Sequence, residues 1–223
     1  AISLAIDRQE LVDILFFGYG KICNGPFLPD SFAYNEDVKP ITQNIEKAKE
    51  LLKELGYDEN NPFTFEVVTN TGNDTRINTA QILQYQLEKV GVKMTIRVME
   101  WQAFLNTVVH PKKFDAVILG WSLGLMPDAY PLWHSSSDKL GGFNLVSYKN
   151  EKVDKLIEDG INTINREELG KIYKEIFKII SDDLPYLLLY IPDGITVVNK
   201  EIKNVEPSFI GIMHNQKDWE LEQ

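Results

Sequence analysis

The chain has 223 residues, 43% of them hydrophobic and 11% aromatic, which is enough apolar material to bury a sizeable core in one or two domains. A formal net charge of −10 with no run of Lys and Arg excludes a nucleic-acid partner, because phosphate binding needs clustered positive charge. The one cysteine, Cys23, excludes an internal disulfide and every multi-cysteine metal site and reads as an inert buried thiol, and no apolar stretch reaches the ~20 residues of a membrane span.

AISLAI opens the chain with no initiator Met, no basic signal region and no helix cap, so residues 1 to 6 read as the tail of an element that begins upstream. Asp7-x-x-Glu10 is a capping box that predicts a helix through Phe16, stopped by Gly18 and Gly20. From 44 to 56, Ile45, Ala48, Leu51, Leu52 and Leu55 share one helical face that ends at Gly56. At 63 to 69, Phe63, Phe65 and Val67 alternate with Thr64 and Glu66, which predicts a strand broken by NTGND. Ile77, Ala80, Leu83, Leu87 and Val90 recur at helical spacing up to Gly91. Val92, Met94, Ile96 and Val98 then alternate with Lys93, Thr95 and Arg97 as in a strand with one wet face.

Glu100 to about Val109 is a shorter helix bearing Trp101, Phe104, Leu105 and Val108, and the apolar run from Phe114 to Gly120 predicts a strand covered on both faces. The order β-α-β-α-β demands parallel strands joined right-handedly. Asn150 to Ile164 and Asn165 to Ser181 are two further helices, the second opened by Asn165-x-x-Glu168 and turning Leu169, Ile172, Tyr173, Ile176 and Ile180 inward. LLLYI at 187 to 191 and ITVV at 195 to 198 predict two short strands, and the tail from Lys203 has no strong period.

In an open parallel sheet, ligands bind beyond the carboxyl ends of the strands, where loops and helix N-termini converge. Those ends carry Asn70, Thr71 and Gly72 after the first strand, Glu100 and Trp101 after the second, and Trp121 and Ser122 after the third. Two indoles and several hydrogen-bonding groups aimed at one edge suit an apolar-walled cleft with a few polar anchors. Trp101 on its amphipathic helix serves equally as core, and Glu100 equally as a first-turn acid favouring the helix dipole. Chemistry finds little footing. His134 precedes Ser135, Ser136 and Ser137 without a G-x-S-x-G elbow, while His110, His134 and His214 lack the spacing of a zinc site. Glycine-rich phosphate loops are absent, so no cofactor is expected.

Several stretches taken in order resemble the family 5 extracytoplasmic solute-binding proteins of ABC importers. They are AISLAIDRQELVDILFFGYGKICNGPFLP, IEKAKELLKELGY, AQILQYQLEKVGVKMTIRVMEWQAFL, FDAVILGWSLGLMPDAYPLWHSSS, GGFNLVSYKNEKVDKLIEDG and REELGKIYKEIFKIISDDLPYLLLYIP. The resemblance implies a periplasmic-binding-protein-like α/β lobe around a mainly parallel sheet. Residues 1–191 would be the distal lobe of a two-lobed clamp and 192–223 the return toward a first lobe that precedes Ala1. It implies a monomer outside the cytoplasmic membrane, lipid-anchored in some members through the upstream segment, that captures a peptide, a nickel complex or a related solute and hands it to permease subunits without catalysis.

By the same resemblance the loop from Trp121 to Asp128 lines the solute site, with Asn144 of the GGFN stretch beside it. Oligopeptide binders often place an Asp a few residues after this Trp to pair with the peptide α-ammonium group; here Leu123, Gly124, Leu125 and Met126 stand there and the next acid is Asp128. A lobe without its partner should bind feebly. Two rival readings come from other classes. One is the sensing module of a transcription regulator; the other is a hydrolase working through Asp128 or Asp115.

Overall fold

The computed structural model describes every residue except Leu125, Phe209, Ile210 and Gln223. Its centre is a three-stranded parallel sheet of β2 (Thr64–Asn70), β3 (Lys93–Met99) and β4 (Ala116–Val117) in the order β3-β2-β4. Val67 pairs with Ile96 on one side and Ala116 on the other, so the predicted β-α-β-α-β unit is present with β2 in the middle. The crossovers are α4 (Asp74–Glu88) and α5 (Trp101–Phe104), the latter continuing into a wider turn at Leu105–Val109, where the His110 N–H donates to the Leu105 carbonyl at 2.9 Å. That i→i+5 step shifts the helical phase by one residue and buries Val108 and Val109 together.

Caps set the helix starts where the sequence placed them. Asp7 accepts from the Glu10 N–H to open α2 (Arg8–Phe16), and Asn44 from the Lys47 N–H to open α3 (Ile45–Glu54). Asn150 and Asn165 cap α7 (Glu151–Ile161) and α8 (Arg166–Asp183) in the same way. Residues Ile2–Ala5 form a single helical turn, α1. A four-residue helix, α6 (Tyr130–Trp133), follows β4 along the chain and packs against α7.

The two faces of the sheet bury different clusters. Val67, Ala80, Leu83, Leu87 and Met94 pack with Ala48 and Leu52 on one side. Val68, Phe104, Val108, Val109 and Leu145 pack on the other. A third cluster joins Tyr173, Ile176, Phe177 and Ile180 of α8 to Val153 and Ile157 of α7 and to Phe27 and Trp133. Each such side chain contributes about 1.5–3 kcal/mol by leaving water.

Four expectations need correction. The run from Phe114 to Gly120 is an edge strand, paired only at Ala116–Val117 and half-covered, because a third neighbour that would bury its far side is absent among the described residues. ITVV is no strand: Ile195 and Val197 stand 72% and 92% exposed, so the apolar alternation found no ladder to join. Leu55 is exposed where α3 ends, one residue past the covered face. Of LLLYI, only the end pairs, as β5 (Tyr190–Pro192) antiparallel to β1 (Gly20–Ile22), a strand too short to show a period. β6 (Ile202–Lys203) and β7 (Glu220–Leu221) close a small ribbon near the end of the chain.

The loop that follows α6 is fastened by charge to Lys112. Lys112 Nζ donates to Asp138, to the Asn144 carbonyl at 2.6 Å and to Ser147 Oγ at 3.2 Å. Asp138 also accepts from Ser147 Oγ at 2.9 Å and pairs with Lys149 at 3.2 Å. Lys112 and Ser147 thereby hold the Asp138 carboxyl down at about 2, below the ordinary ~3.9. A depressed acid stabilises the fold above its unfolded value and loses that contribution as pH falls through the folded one. Asp138→Asn is therefore expected to flatten the acid limb of the thermal-melting profile between about pH 4 and pH 2. An unchanged slope there would assign the acid sensitivity to other groups.

Candidate functional site

Residues at the three strand ends lie near one arginine, although Asn70, Thr71, Gly72, Glu100 and Trp101 line neither of the two openings that Trp121 borders. After β2, Asn70 is buried, the Thr71 N–H donates to the Met99 carbonyl at 2.7 Å, and Gly72 turns the chain at a φ of 77° that favours glycine. Asn73 then caps α4 by accepting from the Arg76 N–H at 3.0 Å, which sets Arg76 in the first helical turn. From there Arg76 Nη1 donates to Asn70 Oδ1 at 2.7 Å, and its Cζ lies 5.6 Å from the Trp101 ring centroid. A Cβ placed at Gly120 would come within 3.9 Å of Arg76 Nη2. Ends of all three strands thus touch or approach one guanidinium.

Trp101 and Trp121 are 37% and 38% exposed, so neither indole is lost in the core. Trp101 leans on Phe104 with centroids 6.1 Å apart. Glu100 caps α5 by accepting from the Ala103 N–H at 2.9 Å, and the Gln102 and Ala103 N–H groups hold its carboxyl below the usual range. Its place at the strand end is explained by that cap alone.

Trp121 borders a cleft of about 450 Å³ with Asp30, Ser122, Met126, Asp128 and Phe143. Phe143 meets the Trp121 indole edge-on at 5.7 Å. Asp128 Oδ1 accepts from the Tyr130 N–H at 3.0 Å, which leaves Oδ2 uncommitted. Neither Asp30 nor Asp128 pairs with a cation among the described residues, so the cleft joins an aromatic wall to two unneutralised carboxylates. Leu125, within the predicted loop, lies outside the described residues. A second, larger groove of about 750 Å³ runs from Trp121 past Arg76 to Tyr186 and Tyr190. The Tyr186 hydroxyl in that groove is buried beside the Trp121 side chain, and burial pushes its pKa up to about 12 against the lowering effect of that indole.

Asn144 does not face either opening. It is fully buried, donates to the Tyr148 carbonyl at 2.8 Å and the His134 carbonyl at 3.3 Å, and accepts from the Tyr148 N–H at 2.8 Å. With its amide committed, it fastens the loop that presents Phe143. Thr71 and Gly72 shape the turn and likewise line neither opening. His134 is buried; its Nδ1 lies 2.8 Å from Ser136 Oγ and its ring stacks on Tyr130 at 4.3 Å, so it fastens the short turn at Ser135–Ser137.

Arg76, Asp30 and Phe143 escaped the sequence reading. Arg76 looks like any solvated helix charge. Asp30 depends on how the loop after β1 is laid against α8: a Cβ at Gly25 would sit 2.0 Å from the Phe177 ring, so only glycine permits the approach. Asn24 Nδ2 then bonds the Val38 carbonyl at 2.6 Å and Ser181 Oγ bonds the Asn24 carbonyl at 2.9 Å, which fixes the loop that carries Asp30.

A parallel α/β sheet with a cleft by its strand ends is the architecture of periplasmic-binding-protein-like folds. The chain belongs to the bacterial extracellular solute-binding proteins, family 5, whose model matches residues 1–143. It is 32% identical to the oligopeptide-binding protein AppA of Bacillus subtilis over 99% of this chain and 43% of that protein. It is 30% identical to the nickel-binding protein NikA of Staphylococcus aureus over 95% of this chain and again 43% of the relative. The chain thus spans less than half the length of these relatives. The structure of Bacillus subtilis AppA in complex with a nonapeptide superposes with a TM-score of 0.85, covering 100% of this chain and 46% of AppA.

Proposed function

We propose that the protein is the non-enzymatic solute-capture component of an ABC import system, working outside the cytoplasmic membrane and handing an oligopeptide or dipeptide to permease subunits. In this reading residues 1–191 are the distal jaw of the clamp, and residues 192–223 return toward the other. Solute binds the closed form better than the open one and shifts the population toward it. The observation that carries the reading is the cleft that an exposed Trp121 lines together with Asp30 and Asp128, two carboxylates with no cation partner among the described residues. Trp121 supplies apolar wall, Ser122 a hydrogen bond, and Asp128 Oδ2 a partner for the peptide α-ammonium group, with Asp30 adding field. Asn70, Trp101 and Glu100 shape the neighbouring edge. The match to peptide-binding AppA over nearly the whole chain supports the solute class.

Asp128→Asn in the full-length protein is expected to weaken pentapeptides with a free amino terminus about tenfold in titration calorimetry and to leave acetylated ones unchanged, as for the loss of one charge-assisted bond. Equal losses for both would remove the ammonium pairing from the scheme. The nickel-binding relative supports a second reading, in which the solute is a chelated nickel ion. Nickel titration of the same protein, with histidine as chelator, separates the two.

A further inference from the structure

We infer that Asp138, which borders neither opening, sets solute affinity from the root of its loop by holding Phe143 against Trp121. Resting on the solute-capture reading, this adds a positioning residue to it, one that acts on the solute only through another side chain. The carboxylate sits where two left-handed turns converge. Lys112 ends the crossover after β3 at a φ of 54°, its N–H donating to the Val109 carbonyl at 3.0 Å and the Lys113 N–H to the Val108 carbonyl at 2.8 Å. Ser147 turns the chain at a φ of 55°. Glycine fits both positions with least strain. Instead each carries a side chain, and across 35 residues of sequence the two meet each other and Asp138.

The chain doubles back between Asp138 and Phe143. Gly141 holds a φ of 78°, the Gly142 N–H donates to the Lys139 carbonyl at 2.9 Å, and a Cβ at Gly142 would come 2.0 Å from the Ser137 carbonyl oxygen. The turn is thus folded onto its own root, and a shift of Asp138 carries through to Phe143. On the far side of Phe143, Lys112 Nζ takes the Asn144 carbonyl at 2.6 Å and Leu145 is buried among Val68, Phe104, Val108 and Val109. Phe143 itself is exposed, with its ring edge-on to the Trp121 indole at 5.7 Å. It is therefore gripped from both sides through its neighbours while its own ring stays free for a ligand.

The grip is stronger than that of a surface ion pair. The Lys112 and Asp138 side chains are only 21% and 16% exposed, so water screens them less, and Ser147 and Lys149 occupy further lone pairs of the carboxylate. An exposed phenylalanine on an unfastened loop samples several rotamers and backbone positions, and a solute that packs on it gives up affinity to order it. Fastening the loop beforehand moves that ordering from binding into folding. Trp121 and Phe143 then meet the solute as a preformed corner of two rings.

The test uses the full-length protein and a mixture of free-acid pentapeptides randomised at the three central positions. Asp138→Asn, which keeps the shape and removes the charge, should weaken binding in calorimetric titration about three- to tenfold, the effect of ordering a side chain during binding instead of beforehand. In a Phe143→Ala background the same substitution should change affinity less than about twofold, since no ring remains to be positioned. Lys112→Met should repeat both results from the other side of the pair. Ser147→Ala, which keeps the ion pair, should show the same dependence on Phe143 at smaller size, and it supplies the readout if Asp138→Asn melts below the titration temperature. A solute-free measurement runs in parallel: in protein labelled with 5-fluorotryptophan, the Trp121 resonance, assigned through Trp121→Phe, should move in Asp138→Asn toward its position in Phe143→Ala. An affinity unchanged by Asp138→Asn, a loss that is equal with and without Phe143, or a Trp121 resonance that stays at its native position overturns the assignment while leaving peptide capture intact. A native protein that binds none of the mixture overturns the peptide reading, and the fluorine spectrum alone then upholds or overturns Asp138 as the residue that positions Phe143.

Discussion

Replacing Trp121 with alanine is expected to weaken solute binding by the full-length protein about ten- to hundredfold while leaving its melting temperature nearly unchanged. The indole stands at the wall shared by the cleft and the groove, more than a third exposed, with one edge against Phe143. Covering the free face with solute removes apolar area worth about 1.5–3 kcal/mol, and that loss converts to the stated change in affinity. The fold loses little because the buried neighbours Leu132 and Trp133 keep their packing. Calorimetric titration with the free-acid peptide mixture measures the effect. An affinity within twofold of native would place the solute elsewhere. Phe143→Ala acts on the same wall from the other side and should couple to Trp121→Ala in a double-mutant cycle.

The largest effect on stability is expected at Arg8. The side chain is 5% exposed and donates to the Leu188 carbonyl at 2.8 Å, the Ser3 carbonyl at 3.1 Å, the Ile41 carbonyl at 3.4 Å and Ser3 Oγ at 2.7 Å. It thereby ties the start of the chain to the loop before α3 and to the segment before β5. Burial lowers its pKa, yet an arginine stays charged, so those acceptors take the place of water around a buried cation. Arg8→Met fills similar volume but strands several carbonyl oxygens, and a loss of about 3–5 kcal/mol follows. Arg8→Lys should recover little of it, because a compact ammonium cannot reach three directions at once. Urea unfolding followed by tryptophan fluorescence measures both variants. A change under about 1 kcal/mol for Arg8→Met would mean that water replaces the guanidinium at low cost.

Local signals made most of the framework legible. Asp7, Asn44, Asn150 and Asn165 each cap the helix that follows, and the spacing correctly selects Ala80, Leu83 and Leu87 of α4 and Tyr173, Ile176 and Ile180 of α8 as buried, while Ile77, Leu169 and Ile172 stay half-covered. Such features depend on neighbours a few residues away, and the sequence states them directly. Failures came where the deciding partner lies far along the chain. ITVV has a strand's pattern but no strand beside it, and β1 is too short for any pattern yet pairs with β5. Glu100 is fully explained as a cap, and Asn144 as an internal tie. Trp121, Ser122 and Asp128 do share one cleft, because they follow one another along a single loop. Arg76 and Asp30 join that region only through packing between elements distant in sequence, which no short-range periodicity encodes.

The β1–β5 ladder has a bearing on how the molecule comes together. Gly20 lies opposite Pro192, whereas β2 reaches β3 across a single helix. Ring closure over the stretch from Gly20 to Pro192 costs more entropy than closure over one crossover, so the short-range unit from β2 to β3 can condense early and the clasp joins late. Until it joins, the segment that Arg8 grips has no fixed berth, and a nascent chain released too soon would expose the apolar run at 187 to 191 to other chains. The clasp thus acts as a latch on completion, engaging only after everything between its two halves has been made.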